Sequence, residues 1–452
     1  MNFFKKYIKR LNTPVSIAPL VVFRIIFGFL MGLSIVRFAW HGWIDSLYIQ
    51  PVYYFSYYGF EWILPPDELG IYFLFGVMFL SSIGVMLGFW YRFSSLLFFL
   101  SFTYVELIDK TNYLNHYYFV SIVSCLMIFL PAHHYFSIDS QRNPLILKKL
   151  IPAWMVWAVK LQLGIVYFYA GIAKLNFDWL FRAMPLKIWL KAHTGLPILG
   201  ELFKYDITAY LFSWSGAIYD LFIPFILINK RLRPYGYLAV IAFHLLTRWL
   251  FPIGMFPYIM IFSTLIFFDV SFHEKILKKA HLIFNVRSYQ KSARKKLPLL
   301  PTKIIGILFT VHFLVQIVFP FRYILYPDYL FWTEEGFRFS WRVMLIEKAG
   351  YAIFEVTDAD TGRKFEISNR AYLTPQQEKM MATQPDMILE FAHFLGKEMR
   401  QKGIKNPEIR VKSYVTLNGS GSRPFIDETV DLLKEKDSFK HKTWILPFQT
   451  TH

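Results

Sequence analysis

Apolar runs long enough to cross a bilayer recur along the chain, near residues 17–38, 71–90, 95–112, 115–131, 153–174, 208–228, 235–252, 254–270 and 304–321. A spanning helix needs about 20 such residues, because the hydrocarbon core is about 30 Å thick and a helix rises about 1.5 Å per residue. The charges between the runs are sorted by sign. Residues 1–16 carry Lys5, Lys6, Lys9 and Arg10 and no acid, whereas 39–70 carries Asp45, Glu61, Asp67 and Glu68 and no Lys or Arg. The segments "KRLRP" (Lys230 to Pro234) and 272–303 are basic again, the second with Glu274 as its one acid. Cationic loops are retained in the cytoplasm. Nine spans with a cytoplasmic N-terminus place every one of these basic segments inside and the acidic one outside. Segment 175–208 is the exception, and there "RAMPLKIWLKAH" (Arg182 to His193) reads as an amphipathic helix lying at the interface, where cations are expected.

After about residue 322 the pattern changes. "WRVMLIEK" (Trp341 to Lys348), "YAIFEVTD", "RKFEIS" and "EIRVKSYVTLNG" alternate or are β-branched, with a turn signal at Asp360-Thr361-Gly362. "PDMILEFAHFLGKEMRQKG" (Pro385 to Gly403) has helical spacing and closes on Lys, Arg and then glycine. The fold expected is mostly α: a polytopic membrane helical bundle of about nine spans over residues 1–322, with a small C-terminal extramembrane α/β domain over 323–452. An odd number of spans leaves that domain outside.

Composition agrees with a membrane protein. Of 452 residues 55% are hydrophobic and 20% aromatic. The net charge of +18 sits in short segments between apolar runs, which excludes a nucleic-acid footprint. The single cysteine, Cys125, rules out an intrachain disulfide and a cysteine metal site. The basic N-terminus precedes an apolar run too long for a signal-peptide core and reads as a retained first span. The localisation expected is an integral membrane protein of a bacterial inner membrane.

Ionisable groups within spans cost a few kcal/mol or more unless paired, so they mark functional candidates. Lys174, in "VYFYAGIAKLNFDW", ends the fifth run; its near partner in sequence is Asp178, at the spacing of an ordinary helical ion pair. Unpaired and desolvated, an amine becomes a usable base instead. "LIDKTNYLNHYYF" holds Asp109, Lys110, Asn112, Asn115 and His116 at a turn on the same outer side, and "AFHLLTRWLFPIGMFPY" places His244 and Arg248 in the seventh run. The adjacent His133 and His134 of "PAHHYFSID" diverge on a helix and make no metal pair. Three of these four clusters converge on one membrane face beneath the outer domain. That describes a site open to a lipophilic molecule from the bilayer and a polar one from above.

"DKTNYLNHYYF", "IVYFYAGIAKLNFDW", "FHLLTRWLFPIGMFPY" and "WTEEGFRFSW" occur in the order, and near the spacing, found in vitamin K-dependent γ-glutamyl carboxylases. From about residue 15 onward the chain resembles a short prokaryotic-type member of that family, whose membrane part is called the horizontally transferred transmembrane (HTTM) domain. The resemblance implies that Lys174 deprotonates vitamin K hydroquinone and that O2 then adds to the quinol anion. The strongly basic oxygenated cofactor removes a γ-proton from a substrate glutamate, CO2 captures the carbanion to give γ-carboxyglutamate, and the quinol leaves as its 2,3-epoxide. It further implies a catalytic role for His116, cofactor contacts from Asn115, His244, Met255 and Phe256, and substrate contacts from Trp332, Phe337 and Trp341, with no metal. A γ-proton of glutamate is beyond any side-chain base, so cofactor oxidation must supply the energy and the protein the position and dryness. Animal members have lysine where Ala173 stands, tyrosine at Phe337 and histidine at Ile346.

The partners expected are the lipid bilayer, the lipophilic quinol and a glutamate-containing protein or peptide. Two other readings make different demands. A quinol epoxidase without protein carboxylation would form epoxide and fix no CO2. A non-catalytic transporter or assembly factor would use Lys174 as a structural partner of Asp178; the matching halves of many transporters are absent from the sequence.

Overall fold

The computed structural model describes residues 10–284 and 302–449. The basic N-terminal residues before Arg10 and most of the basic segment after 284 lie outside the described residues. The chain is mostly helical. Its long helices are α1 (Ala18–Trp40), α2 (Glu68–Leu87), α3 (Tyr91–Ile108), α4 (Asn115–Phe129), α5 (Ala153–Lys174), α6 (Asp206–Ile228), α7 (Arg233–Leu250), α8 (Phe256–Ser263), α9 (Val270–Phe284) and α10 (Thr302–Val318).

Among the described residues five helical stretches are long and apolar enough to cross a membrane: α1, α2, α5, α6 and Ile304–Leu325. The expected runs all fall on helix, but not all as full spans. Helix α4 has 15 residues, about 22 Å of rise against a core of about 30 Å. Helices α3 and α7 have 18 residues each and carry charges within them, Arg92 and Glu106 in one, Arg233 and Arg248 in the other. The run 254–270 ends at Phe267, and the chain then bends by 112° into α9. By length and composition the described residues hold up to six such stretches if that bent pair is one span, against the nine runs expected.

Close helix crossings are made by glycines. A Cβ on Gly28 would lie 2.5 Å from Met86 N, and one on Gly171 would lie 2.6 Å from Leu221 N. Only hydrogen at these positions lets α1 approach α2, and α5 approach α6, so closely. A two-stranded ribbon absent from the sequence reading, β1 (Pro14–Ser16) with β2 (Leu150–Pro152), ties the start of α1 to the start of α5.

The C-terminal domain holds an antiparallel sheet, β4-β3-β5-β6, made of β3 (Lys348–Asp358), β4 (Lys364–Ile367), β5 (Pro407–Leu417) and β6 (Arg423–Pro424). Register runs from Lys348 opposite Leu417 to Asp358 opposite Pro407. Alternation works as expected: Ile409, Val411 and Val415 point inward and meet Ile388, Phe391 and Leu395 of α12 (Pro385–Gln401), which α11 (Pro375–Met381) precedes. The expected strand over Trp341–Lys348 does not form. Phe339, Trp341 and Met344 have positive φ, which breaks the pleat, and extended structure begins only at Lys348. Of the expected interfacial helix from Arg182 to His193, only Leu186–Lys191 forms as a helix of its own, and Arg182 instead ends a separate short helix, Phe177–Arg182.

Domain and bundle share one interior. Phe55, Ala173, Trp179, Leu250 and Phe251 from the bundle pack in the same apolar cluster as Phe354, Phe391 and Val411. Around that contact Lys110 Nζ lies 3.0 Å from Asp386 and 2.7 Å from Glu390, and Asn418 Nδ2 donates to Asp178 at 2.9 Å.

Candidate functional site

Lys174 is the last residue of α5, and its side chain is buried. Its partner is not Asp178. Nζ lies 2.7 Å from Oδ2 of Asp220, an equally buried carboxyl on α6, and 5.4 Å from the Trp179 ring. Asp178 turns away, because the helix ends at Lys174 and restarts at Phe177. It accepts from Arg182 Nη1 at 3.1 Å, Tyr329 Oη at 3.3 Å and Asn418 Nδ2. The i,i+4 expectation assumed one continuous helix.

Lys174 and Asp220 line an apolar cavity of about 170 Å³, together with Tyr167, Trp189, His244, Phe251 and Phe256. His244, on α7 and 1% exposed, has Nε2 3.0 Å from Tyr167 Oη, while Nδ1 has no hydrogen-bond partner. A buried imidazole nitrogen without a partner is costly. The residue itself lines the cavity, so an imidazole stands among the same walls as the amine. Ammonium or amine at one position, imidazole at another and apolar walls between fit a flat aromatic molecule with polar substituents.

A second cavity of about 510 Å³ lies under the C-terminal domain. Asn115, His116, Met255 and Phe337 line it, with Lys110, Arg338, Lys348 and Ile346. Asn115 is held by its own side chain, donating to Arg342 O at 3.0 Å and accepting from Tyr113 Oη at 3.1 Å. The two cavities share Ile253, Phe256, Val343 and Met344. The Phe256 ring stands 5.7 Å from His116 and 5.6 Å from His244. The residues expected at one site therefore divide between two chambers with a common wall.

Two expected substrate contacts lie elsewhere. Trp332 is buried in the domain core, its Nε1 donating to Leu446 O at 2.7 Å and its ring against Phe425. Trp341 is fully buried and stacks on Tyr118 at 4.8 Å. Neither lines either cavity; Trp332 packs in the cluster of the C-terminal domain and Trp341 in that of the helical bundle.

The second chamber is charged. Lys348 Nζ meets Glu334 at 2.8 Å and also donates to the carbonyl oxygens of Trp332 and Thr383; burial holds it below the ordinary lysine value, with Glu334 opposing. Burial alone would raise Asp386, but Arg338, 2.6 Å away, and Lys110 outweigh it and hold this carboxyl far below the usual range. Asp220, Tyr167 and the Lys348–Glu334 pair escaped the sequence reading. A lone acid in the apolar run "AIYDLFIPF" was the available signal for the first.

Two family models match the chain. The HTTM domain covers residues 12–272, and the lumenal domain of vitamin K-dependent gamma-carboxylase covers 301–451. No solved structure matches.

Proposed function

We propose that this chain, which belongs to the vitamin K-dependent γ-glutamyl carboxylase family, uses the apolar cavity for a reduced naphthoquinone and the charged chamber for a glutamate side chain. The observation that supports this most is the placing of Lys174 and His244 on one apolar cavity that shares lining residues with a polar one. When bound, the reduced quinone and O2 supply the oxidation energy that removal of a γ-proton demands.

The chain's own residues then have distinct tasks. Lys174 accepts the hydroxyl proton of the ligand, an assignment consistent with its seat on apolar walls. His244 makes the second polar contact. Phe251, Trp189 and Phe256 exclude water, which strengthens both polar contacts. Asn115 and His116 face the charged chamber, where Lys348 and Arg338 are placed to attract a carboxylate and CO2 enters as co-substrate. The division near residues 322 and 323, nine crossings, a cytoplasmic N-terminus, an outer C-terminal domain and a bacterial inner membrane belong to the same proposal; the charge sorting along the sequence supports them.

A second reading has its own support. Phe337 and Ile346, the two positions where animal members carry tyrosine and histidine, both line the charged chamber. The same protein with carboxylation lost or redirected would remain a quinol epoxidase. Incubation with vitamin K hydroquinone, a glutamate peptide and labelled bicarbonate separates the two, with epoxide and fixed label followed independently. Both products are expected; epoxide without label leaves the epoxidase. Lys174→Gln keeps a donor toward Asp220 and should lower epoxide formation by about 10²–10⁴-fold. An unchanged rate in a correctly inserted variant removes Lys174 as the base.

A further inference from the structure

Asp220 has no part in the reading above. It stands midway along α6, 5% exposed, and its carboxylate accepts one hydrogen bond, from Lys174. Among the described residues no other donor reaches it. A carboxylate offers about four acceptor sites, and Asp178 nearby fills three with Arg182, Tyr329 and Asn418. An ion pair so poorly supported in apolar surroundings carries a large desolvation penalty. Moving one proton from Nζ to Oδ2 removes both charges at once. It leaves a neutral amine on the cavity wall. The close approach at Gly171 is what holds the two groups 2.7 Å apart.

We propose that Asp220 is the holding site for the proton that Lys174 must shed before it can act as a base. This rests on the reading that the Lys174 cavity takes a hydroxyl-bearing quinol. In the resting pair the proton lies on Nζ beside a carboxylate. As the ligand enters, an N–H bond breaks and an O–H bond forms at Oδ2. The freed amine then takes the proton of the ligand hydroxyl, whose oxygen keeps the bonding electrons. The pair ends one proton richer, with an ammonium beside the new negative charge and a neutral carboxyl behind it. No oxidant or reductant enters this step. Asp220 thus acts through Lys174 and is a positioning residue. The other titratable groups facing the pair are Tyr167 on α5, Tyr219 on α6 and His244 on α7; Asp178 and Arg182, on the next short helix, are paired with each other.

The test uses the full-length protein in lipid nanodiscs with vitamin K hydroquinone under strict exclusion of O2. Binding is read from quenching of tryptophan fluorescence, since Trp179 and Trp189 line the cavity. Infrared difference spectra should show a protonated-carboxyl C=O band on binding that shifts in protein labelled with ¹³C-aspartate. In Asp220→Glu the band should persist and lose that label sensitivity. Asp220→Asn should bind hydroquinone and, once O2 is admitted, form epoxide ~100-fold or more slowly, with a residual rate that climbs with pH where the parent is flat. Hydroquinone that binds without an aspartate band overturns the proposal and leaves the cavity reading intact. So does Asp220→Asn turning over with the parent's rate and pH profile. Hydroquinone that does not bind overturns both.

Discussion

Lys174 owes its place to a residue with no side chain. Gly171 lies one turn earlier on α5, where a Cβ would sit 2.6 Å from Leu221 N and 3.0 Å from Asp220 C. Both obstacles are backbone, so neither can rotate away, and α5 and α6 must part. Gly171→Ala should therefore destabilise by about 1–3 kcal/mol. It should also slow epoxide formation by about 10²-fold, because an ångström of misplacement is enough to lose that much rate. Thermal unfolding in detergent and the epoxide assay check the two effects; an alanine variant with parent stability and rate would show that the crossing is not tight. At this scale the sequence was informative about costly polar residues. The expense of burying an amine and an imidazole pointed to Lys174 and His244, which share a cavity. It could not reveal Asp220, because helical spacing points from Lys174 to Asp178 while the actual contact spans 46 positions. Trp332 and Trp341, expected as substrate contacts from the resemblance, are buried and line neither cavity: nothing in a sequence says which way a tryptophan turns.

Elements were legible wherever one periodicity ruled. All the apolar runs fall on helix, and β3, β5 and α12 lie where alternation and helical spacing put them. What escaped was length and continuity, since a bend such as that after Phe267 depends on tertiary contacts and not on hydropathy. The start of α8 shows why this matters. Phe256 begins that helix and stands between His116 of α4 and His244 of α7, so three elements meet at one ring. Truncating it should join the two chambers. Phe256→Ala is expected to keep epoxide formation within about tenfold of the parent, a loss of about 1.4 kcal/mol in barrier terms, while fixed CO2 per epoxide falls as water gains access. A variant with an unchanged ratio of the two products would mean that the wall has no part in coupling them.

At the scale of the whole molecule the change of pattern near residue 322 carried no sign that the helical bundle and the C-terminal sheet share an interior. The ion cluster at their junction gives that union a pH dependence. Asp386, on the first turn of α12, is held by Arg338 and Lys110 far below the usual carboxylate range. Unfolded, the same group titrates near its ordinary value of about 3.9. A carboxyl whose folded value is depressed lends stability that is complete above the unfolded value and is lost as pH falls from there toward the folded one. Glu390 on the same lysine is raised instead, chiefly by burial, so it contributes with the opposite sign and in a higher window. The melting temperature in nanodiscs should consequently fall as pH drops below about 4. Asp386→Asn should melt lower than the parent at neutral pH and lose most of the acid decline, whereas Glu390→Gln should keep it. An Asp386→Asn variant as acid-sensitive as the parent would place the titrating group elsewhere and leave the junction held by its apolar contacts alone.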